Sequence, residues 1–206
     1  MSKISEKEFL SIFASGRNEL LLVKERLSII RQNFKILKRH FSGKAINLLK
    51  KADMDADKII SLLLELFPAF NDSENFFGNK VLLLKRAQIF TSDLSFTGLP
   101  ELRVKNLDHL TVFADYKLPQ ILESLGILHY APELDSDIVN EKLIPAGSQK
   151  EVELRASSIS AIEQIHDEMI KLGSSINVNE LDWIIWVKAK MTNFSKPHHK
   201  TLTTFY

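Results

Sequence analysis

The stretch Leu20–Phe41, LLLVKERLSIIRQNFKILKRHF, decides the fold class. Leu20, Val23, Leu27, Ile30, Phe34, Leu37 and Phe41 recur every three or four residues, so a helix gathers them into one apolar stripe. Ser42-Gly43 supplies a C-terminal stop. The same pattern extends in both directions. Ser5 and Glu8 have capping-box spacing ahead of Phe9, Leu10, Ile12 and Phe13, which predicts a short helix ending near Gly16. Ile46–Leu49 predicts another. Asp55 heads a helix carrying Ile59, Leu62, Leu63 and Leu66 that ends before Pro68. The polar segment Asn71–Asn79, with Gly78, reads as a loop. Lys80–Leu94 reads as a helix by length, although Val81-Leu82-Leu83-Leu84 would also suit a buried strand. Short helices are predicted at Leu107–Ala114 and Pro119–Leu125. Ser148 with Glu151 opens a long helix to about Leu172, and Asn177 with Glu180 opens a last one to about Lys190. No repeat, low-complexity tract or linker interrupts the chain. The expected architecture is all-α, one globular domain over residues 1–206, with at most a minor hairpin.

Composition narrows the function classes. The 206 residues suffice for a substantial core, and 45% hydrophobic with 26% charged residues is ordinary for a globular protein. Seven Gly and six Pro are few, which favours helices over turn-rich β architectures. The absence of cysteine excludes disulfides and thiolate-ligated zinc. A net charge of +1 weighs against a strongly electrostatic nucleic-acid binder. No apolar run reaches bilayer length, and Met1–Glu8 lacks the apolar core of a signal peptide. These features predict a soluble cytoplasmic protein with no membrane partner.

Polar groups in apolar settings mark the candidate site. Lys85-Arg86-Ala87-Gln88 is one such string, and Phe113-Ala114-Asp115-Tyr116-Lys117-Leu118-Pro119-Gln120 is the other. Asp115 follows Leu110, Val112 and Phe113, and a carboxylate there costs free energy unless it is paired or needed for chemistry. On the long helix, Glu163 and His166 project to the side of Val152, Ile159, Ile162, Met169 and Ile170. Glu163 is expected either to pair with an arginine or backbone group or to face a ligand; His166 reads as a satisfied core histidine. In the last helix, Leu181 and Trp183–Val187 leave no polar face, which predicts a buried helix. Asp182 lies one turn before Trp186, either as a charge favoured near the helix N-terminus or as part of a site for a flat, hydrogen-bonding ligand. There is no phosphate-binding glycine loop, dinucleotide fingerprint or Gly-x-Ser-x-Gly elbow. His198-His199 lacks helical ligand spacing, so no metal site and no cofactor are expected. Lys35, Lys38, Arg39 and His40 read as a solvated face.

Taken in order, these residues resemble the queuosine salvage protein family, the queuosine 5′-phosphate N-glycosylases. The resemblance runs from Phe67 to Tyr206 and more weakly back through residues 1–66, the N-terminal helices. It rests on Phe67-Pro68-Ala69-Phe70, Lys85–Ile89 with Asp93, Leu110-Thr111 leading into Phe113–Tyr116, Pro119-Gln120, Leu125-Gly126 and Gly147-Ser148. Glu151–Arg155, Glu163, Asp182 with Trp186, and Pro197-x-His199 complete it. It implies an all-helical fold similar to DNA glycosylases of the helix-hairpin-helix type. The implied enzyme is a hydrolase cleaving the N-glycosidic bond of queuosine 5′-monophosphate or queuosine, releasing queuine, a 7-deazaguanine, for reuse in transfer RNA modification. The implied partner is a small-molecule nucleotide or nucleoside, with no direct nucleic acid. Asp115 is then the catalytic, ribose-facing carboxylate. Asp182 or Glu163 holds the base or its cyclopentenediol side group, Trp186 or Tyr116 packs on a ring, Lys85 meets the 5′-phosphate or orients Asp115, and His199 contributes to substrate binding. Arg155 and Glu153 are expected to act in the site or pair structurally around the core. Members of the family are typically longer at the N-terminus, where aromatic residues help form the pocket, so this chain is expected to be a short version. Lys117 stands where the family usually has Arg, and Leu202 replaces a basic residue. The alternative expectation is a non-catalytic queuine- or nucleoside-binding protein that kept the fold. A nucleic-acid-binding descendant is a third, disfavoured by the near-neutral charge.

Overall fold

The computed structural model describes residues 1–14, 16 and 20–206. Its elements are α1 (Glu6–Phe13), α2 (Val23–Phe41), α3 (Ala45–Lys51), α4 (Ala56–Leu66), β1 (Ser73–Phe76), β2 (Asn79–Leu82), α5 (Lys85–Phe96), α6 (Lys117–Ser124), α7 (Pro132–Val139), α8 (Gln149–Lys171) and α9 (Val178–Met191). Short 3₁₀ turns occupy Pro68–Phe70, Pro100–Leu102 and Leu107–His109. The protein is mostly helical, and none of the described helices is long and apolar enough to cross a membrane.

Local chemistry explains most helix starts. The Ser5 hydroxyl accepts from the Glu8 N–H while the Glu8 carboxylate accepts from the Ser5 N–H, so two orphan donors of α1 are satisfied reciprocally. Asp55 accepts from the Lys58 N–H at α4. Ser148 caps α8 by accepting from the Glu151 N–H, but the Glu151 carboxylate reaches the Gly147 N–H instead of closing the box. Gly147 has φ +71°, which favours glycine, and a Cβ there would also stand 2.9 Å from the Glu74 carboxyl group and force that side chain to shift.

Several elements depart from the sequence expectations. The segment expected as a loop and helix start is an antiparallel hairpin pairing Ser73 with Leu82 through Phe76 with Asn79. Phe77 (φ +49°) and Gly78 (φ +82°) form its two-residue turn, and Asn75 accepts from the Gly78 N–H. The turn is Phe-Gly rather than Asn-Gly, and polar β1 shows no alternation, so neither usual hairpin signal is present. Helix α5 therefore begins at Lys85, not Lys80. Leu107–Ala114 is a single 3₁₀ turn followed by extended chain, and α7 was not anticipated. Helix α9 is not buried all round: Ile184 is 57% exposed and Met191 83% exposed.

Two apolar clusters flank the extended segment. One joins Phe41, Leu48, Leu49, Ile59, Leu63, Phe67 and Ala87 from α2–α5. The other joins Val112, Leu118, Ile121, Leu122, Ile162 and Leu181, where α6, α8 and α9 pack together. Fully burying each of the larger side chains among them is worth about 1.5–3 kcal/mol. The seam between the clusters brings α5, residues 110–115 and α9 to one place.

Candidate active site

Asp115 ends the extended segment, and side chains from three helices replace the hydrogen bonds a helix would have supplied there. The Thr111 N–H donates to the Gln88 Oε1 (2.8 Å), the Phe113 N–H to the Asp182 Oδ1 (3.0 Å), and the Arg155 Nε to the Ala114 carbonyl (3.0 Å). Such substitution is what a buried backbone requires. The Asp115 Oδ1 accepts from the Lys117 N–H (2.7 Å) and the Leu118 N–H (3.3 Å), which fastens it to the start of α6. Its Oδ2 faces the Lys85 Nζ at 3.7 Å, and only 3% of the residue is exposed. A carboxylate this deep needs its amide donors and ammonium partner to offset lost hydration.

Lys85 stands at the first position of α5, delivered by a constrained junction. Leu84 adopts a left-handed conformation (φ +49°), costly for a non-glycine residue. The Leu83 and Leu84 N–H groups both donate to the Asp72 carbonyl at 3.0 Å, and the Lys85 N–H donates to the Asp72 Oδ2 (3.4 Å). Asp72 is also bound by Arg155, from Nη1 to Oδ1 (3.0 Å) and from Nη2 to Oδ2 (2.5 Å). Burial alone would lower the Arg155 pKa, but the bonds and charge of Asp72 and the charge of Glu151 outweigh it and raise it.

Asp182, in the first turns of α9, is the third charged group. Burial pushes its carboxyl up to about 7, against the Phe113 N–H, which lowers it; nearby Asp115 adds to the rise and Lys85 opposes it. At neutral pH it holds a proton part of the time. Lys85, Asp115 and Asp182, with Asp93, Ile89, Phe113, Trp183 and Trp186, line one cleft of about 180 Å³. Lys85, Ile89 and Asp93 form one stripe along α5. Trp183 and Trp186 meet edge to face at 5.7 Å. A larger groove of about 410 Å³ lies between α1, α2 and the C-terminal tail, but it is mainly apolar, and no carboxylate side chain lines it among the described residues.

Lys85, Asp115, Asp182 and Trp186 thus come together, while the other anticipated residues lie outside the cleft lining. The Tyr116 ring packs at a tilt against His198, with centroids 4.3 Å apart. Glu163, expected on the apolar side of α8, is exposed and accepts from the Thr111 hydroxyl. The preceding residue, Ile162, takes the core position, and one step turns the next side chain about 100° away. His199 is buried beside Tyr206 at 3.4 Å, and burial drives its pKa down to about 4. Arg155 pairs with Asp72 and Glu151 rather than with Glu153, which is exposed. His166 is half-buried and bonds the Ile176 carbonyl. Sequence reasoning missed Trp183, whose three-residue spacing from Trp186 was an available signal, and Asp72, which carried none within the loop expected there.

Comparison with known proteins identifies the family. The family model described as queuosine salvage protein matches residues 1–206. A Sphaerobacter thermophilus protein named queuosine 5′-phosphate N-glycosylase/hydrolase is 35% identical over 209 residues, covering all of this chain and 64% of its own length. Proteins of the same name from Dictyostelium discoideum and Mus musculus are 36% and 32% identical over 185 and 197 residues. They cover 88% and 90% of this chain, which in turn spans 58% of each. The chain therefore spans about six-tenths of the length of these curated relatives. The match over its whole length shows that this chain belongs to the queuosine salvage protein family.

Proposed function

We propose that this protein hydrolyses the N-glycosidic bond of queuosine 5′-monophosphate, or of queuosine, and releases queuine. The observation that carries the reading is the cleft in which buried Asp115, paired with Lys85, faces Asp182 and two tryptophans. Breaking the bond from C1′ to the base leaves positive charge on the ribose and sends the bonding electrons to the base. Asp115 stabilises that oxocarbenium character, and a water oxygen then adds to C1′ and releases a proton to solvent. A 7-deazapurine has no N7 to protonate, so the departing base needs a proton or hydrogen bond elsewhere. Asp182, partly protonated at neutral pH, supplies it while its Oδ1 remains on the Phe113 N–H. Lys85 orients Asp115, and the Trp183–Trp186 pair packs on the base.

The cleft is smaller than the roughly 300–1,000 Å³ of typical ligand pockets, so it suits the base and part of the ribose, with the phosphate at the mouth. Tyr116, Glu163 and His199 take supporting places in this reading, Glu163 by holding Thr111. We read the helical fold as one rigid domain of DNA-glycosylase type, working in the cytoplasm on a free nucleotide. The test is incubation with queuosine and with its 5′-monophosphate, monitoring free queuine by mass spectrometry. Release from either substrate is expected, and release from neither refutes the reading.

A further inference from the structure

We propose that Arg155 is a positioning residue, a strut that sets the separation of Lys85 and Asp115; this rests on the function proposed above. Arg155 is 1% exposed, in the second turn of α8, and is not among the residues that line the cleft. Its guanidinium reaches the backbone neighbours of both charged residues. Through Nε it holds the carbonyl of Ala114, the residue before Asp115. Through Nη1 and Nη2 it grips the Asp72 carboxylate, which in turn accepts the Lys85 N–H. The same Asp72 holds Leu83 and Leu84 through its carbonyl, so the left-handed junction before Lys85 hangs on one residue that Arg155 clamps.

The strut is braced on its far side. Glu151, one turn earlier, accepts from the Arg155 Nη1 at 3.2 Å. The Tyr206 ring lies over the guanidinium at 4.4 Å, and its hydroxyl donates to the Glu151 Oε1 at 2.9 Å. Only a planar, forked cation can bridge two acceptors so far apart in sequence with fixed angles, since a lysine ammonium lacks the fixed fork. Arg155 thereby fixes the backbone points from which Lys85 and Asp115 project toward their 3.7 Å contact.

A merely structural arginine and a strut differ in what Arg155→Lys does to the folded enzyme. Under conditions where circular dichroism shows the variant folded, a strut predicts kcat lower by about tenfold or more with KM nearly unchanged, because misplacing a catalytic pair is felt at the transition state. It also predicts faster acetylation of Lys85 by an amine-reactive ester, read by peptide mass spectrometry against exposed Lys35 as reference. Tyr206→Phe, which removes one brace and keeps the guanidinium, should move both readouts in the same direction by less. The proposal is overturned by wild-type kcat with wild-type Lys85 labelling, or by a loss confined to KM, in folded Arg155→Lys. If that variant does not fold, the same results in Tyr206→Phe overturn it. A wild-type protein that releases no queuine would refute the proposed function while the labelling still tests the strut.

Discussion

Asp182→Asn should make the protein more stable and less active, with a pH dependence that identifies the cause. The wild-type carboxyl ionises near its ordinary value of 3.8 when unfolded but only at about 7 when folded. Between those values the unfolded chain has released a proton that the folded protein retains, so the unfolded state is increasingly favoured as pH rises. The destabilisation is absent below about pH 4, grows through the interval and is complete above about pH 7. Roughly three pH units at 1.36 kcal/mol each amount to about 4 kcal/mol at full extent. Asparagine keeps an oxygen for the Phe113 N–H and cannot ionise, so it removes the penalty while preserving the 3.0 Å bond. Urea denaturation of both proteins from pH 4 to pH 9 reads this directly. The variant should match the wild type near pH 4, gain steadily to pH 7, and hold its advantage above pH 8. Queuine release by the variant should fall, because the departing base loses its acid, and wild-type kcat should decline as pH passes about 7. A stability gap that does not change with pH, or one that shrinks as pH rises, would refute the assignment of a burial-raised carboxyl to Asp182.

Three further outcomes follow from the geometry. Asp115→Asn retains an acceptor for the Lys117 and Leu118 N–H groups, so it should fold, yet release queuine about a hundredfold more slowly or worse; retained turnover removes Asp115 from the chemistry. Trp186→Ala should raise KM about tenfold, in line with roughly 1–3 kcal/mol for stacking on a base, and an unchanged KM for both substrates would place the base elsewhere. Asp72→Ala strands a buried guanidinium and should cost about 3–5 kcal/mol in urea denaturation, whereas a loss below about 1 kcal/mol would mean that Glu151 alone sustains Arg155.

What was legible in the sequence is what short-range physics controls. The apolar stripe of α2, the caps at Ser5, Asp55 and Ser148, and the breaks at Ser42-Gly43 and Pro68 act within about one helical turn, and the helices appear there. The oddity of Asp115, Lys85 and Asp182 was also visible, since charges in apolar runs are conspicuous one residue at a time. The failures share one cause. Residues 110–114 have no strand to pair with among the described residues, and their backbone was taken by Gln88, Asp182 and Arg155, from 23, 69 and 41 residues away. Glu163 fell on the solvent side because α8 packs one step round from the face that counting suggested. Asp72 looked like loop until Arg155, 83 residues later, closed on it. The sequence alone determined that the chain is helical and that a few charged residues sit where water does not easily reach. Only the tertiary structure decided which of them face one another, because that pairing is made by hydrogen bonds between distant residues, to which local periodicity is blind.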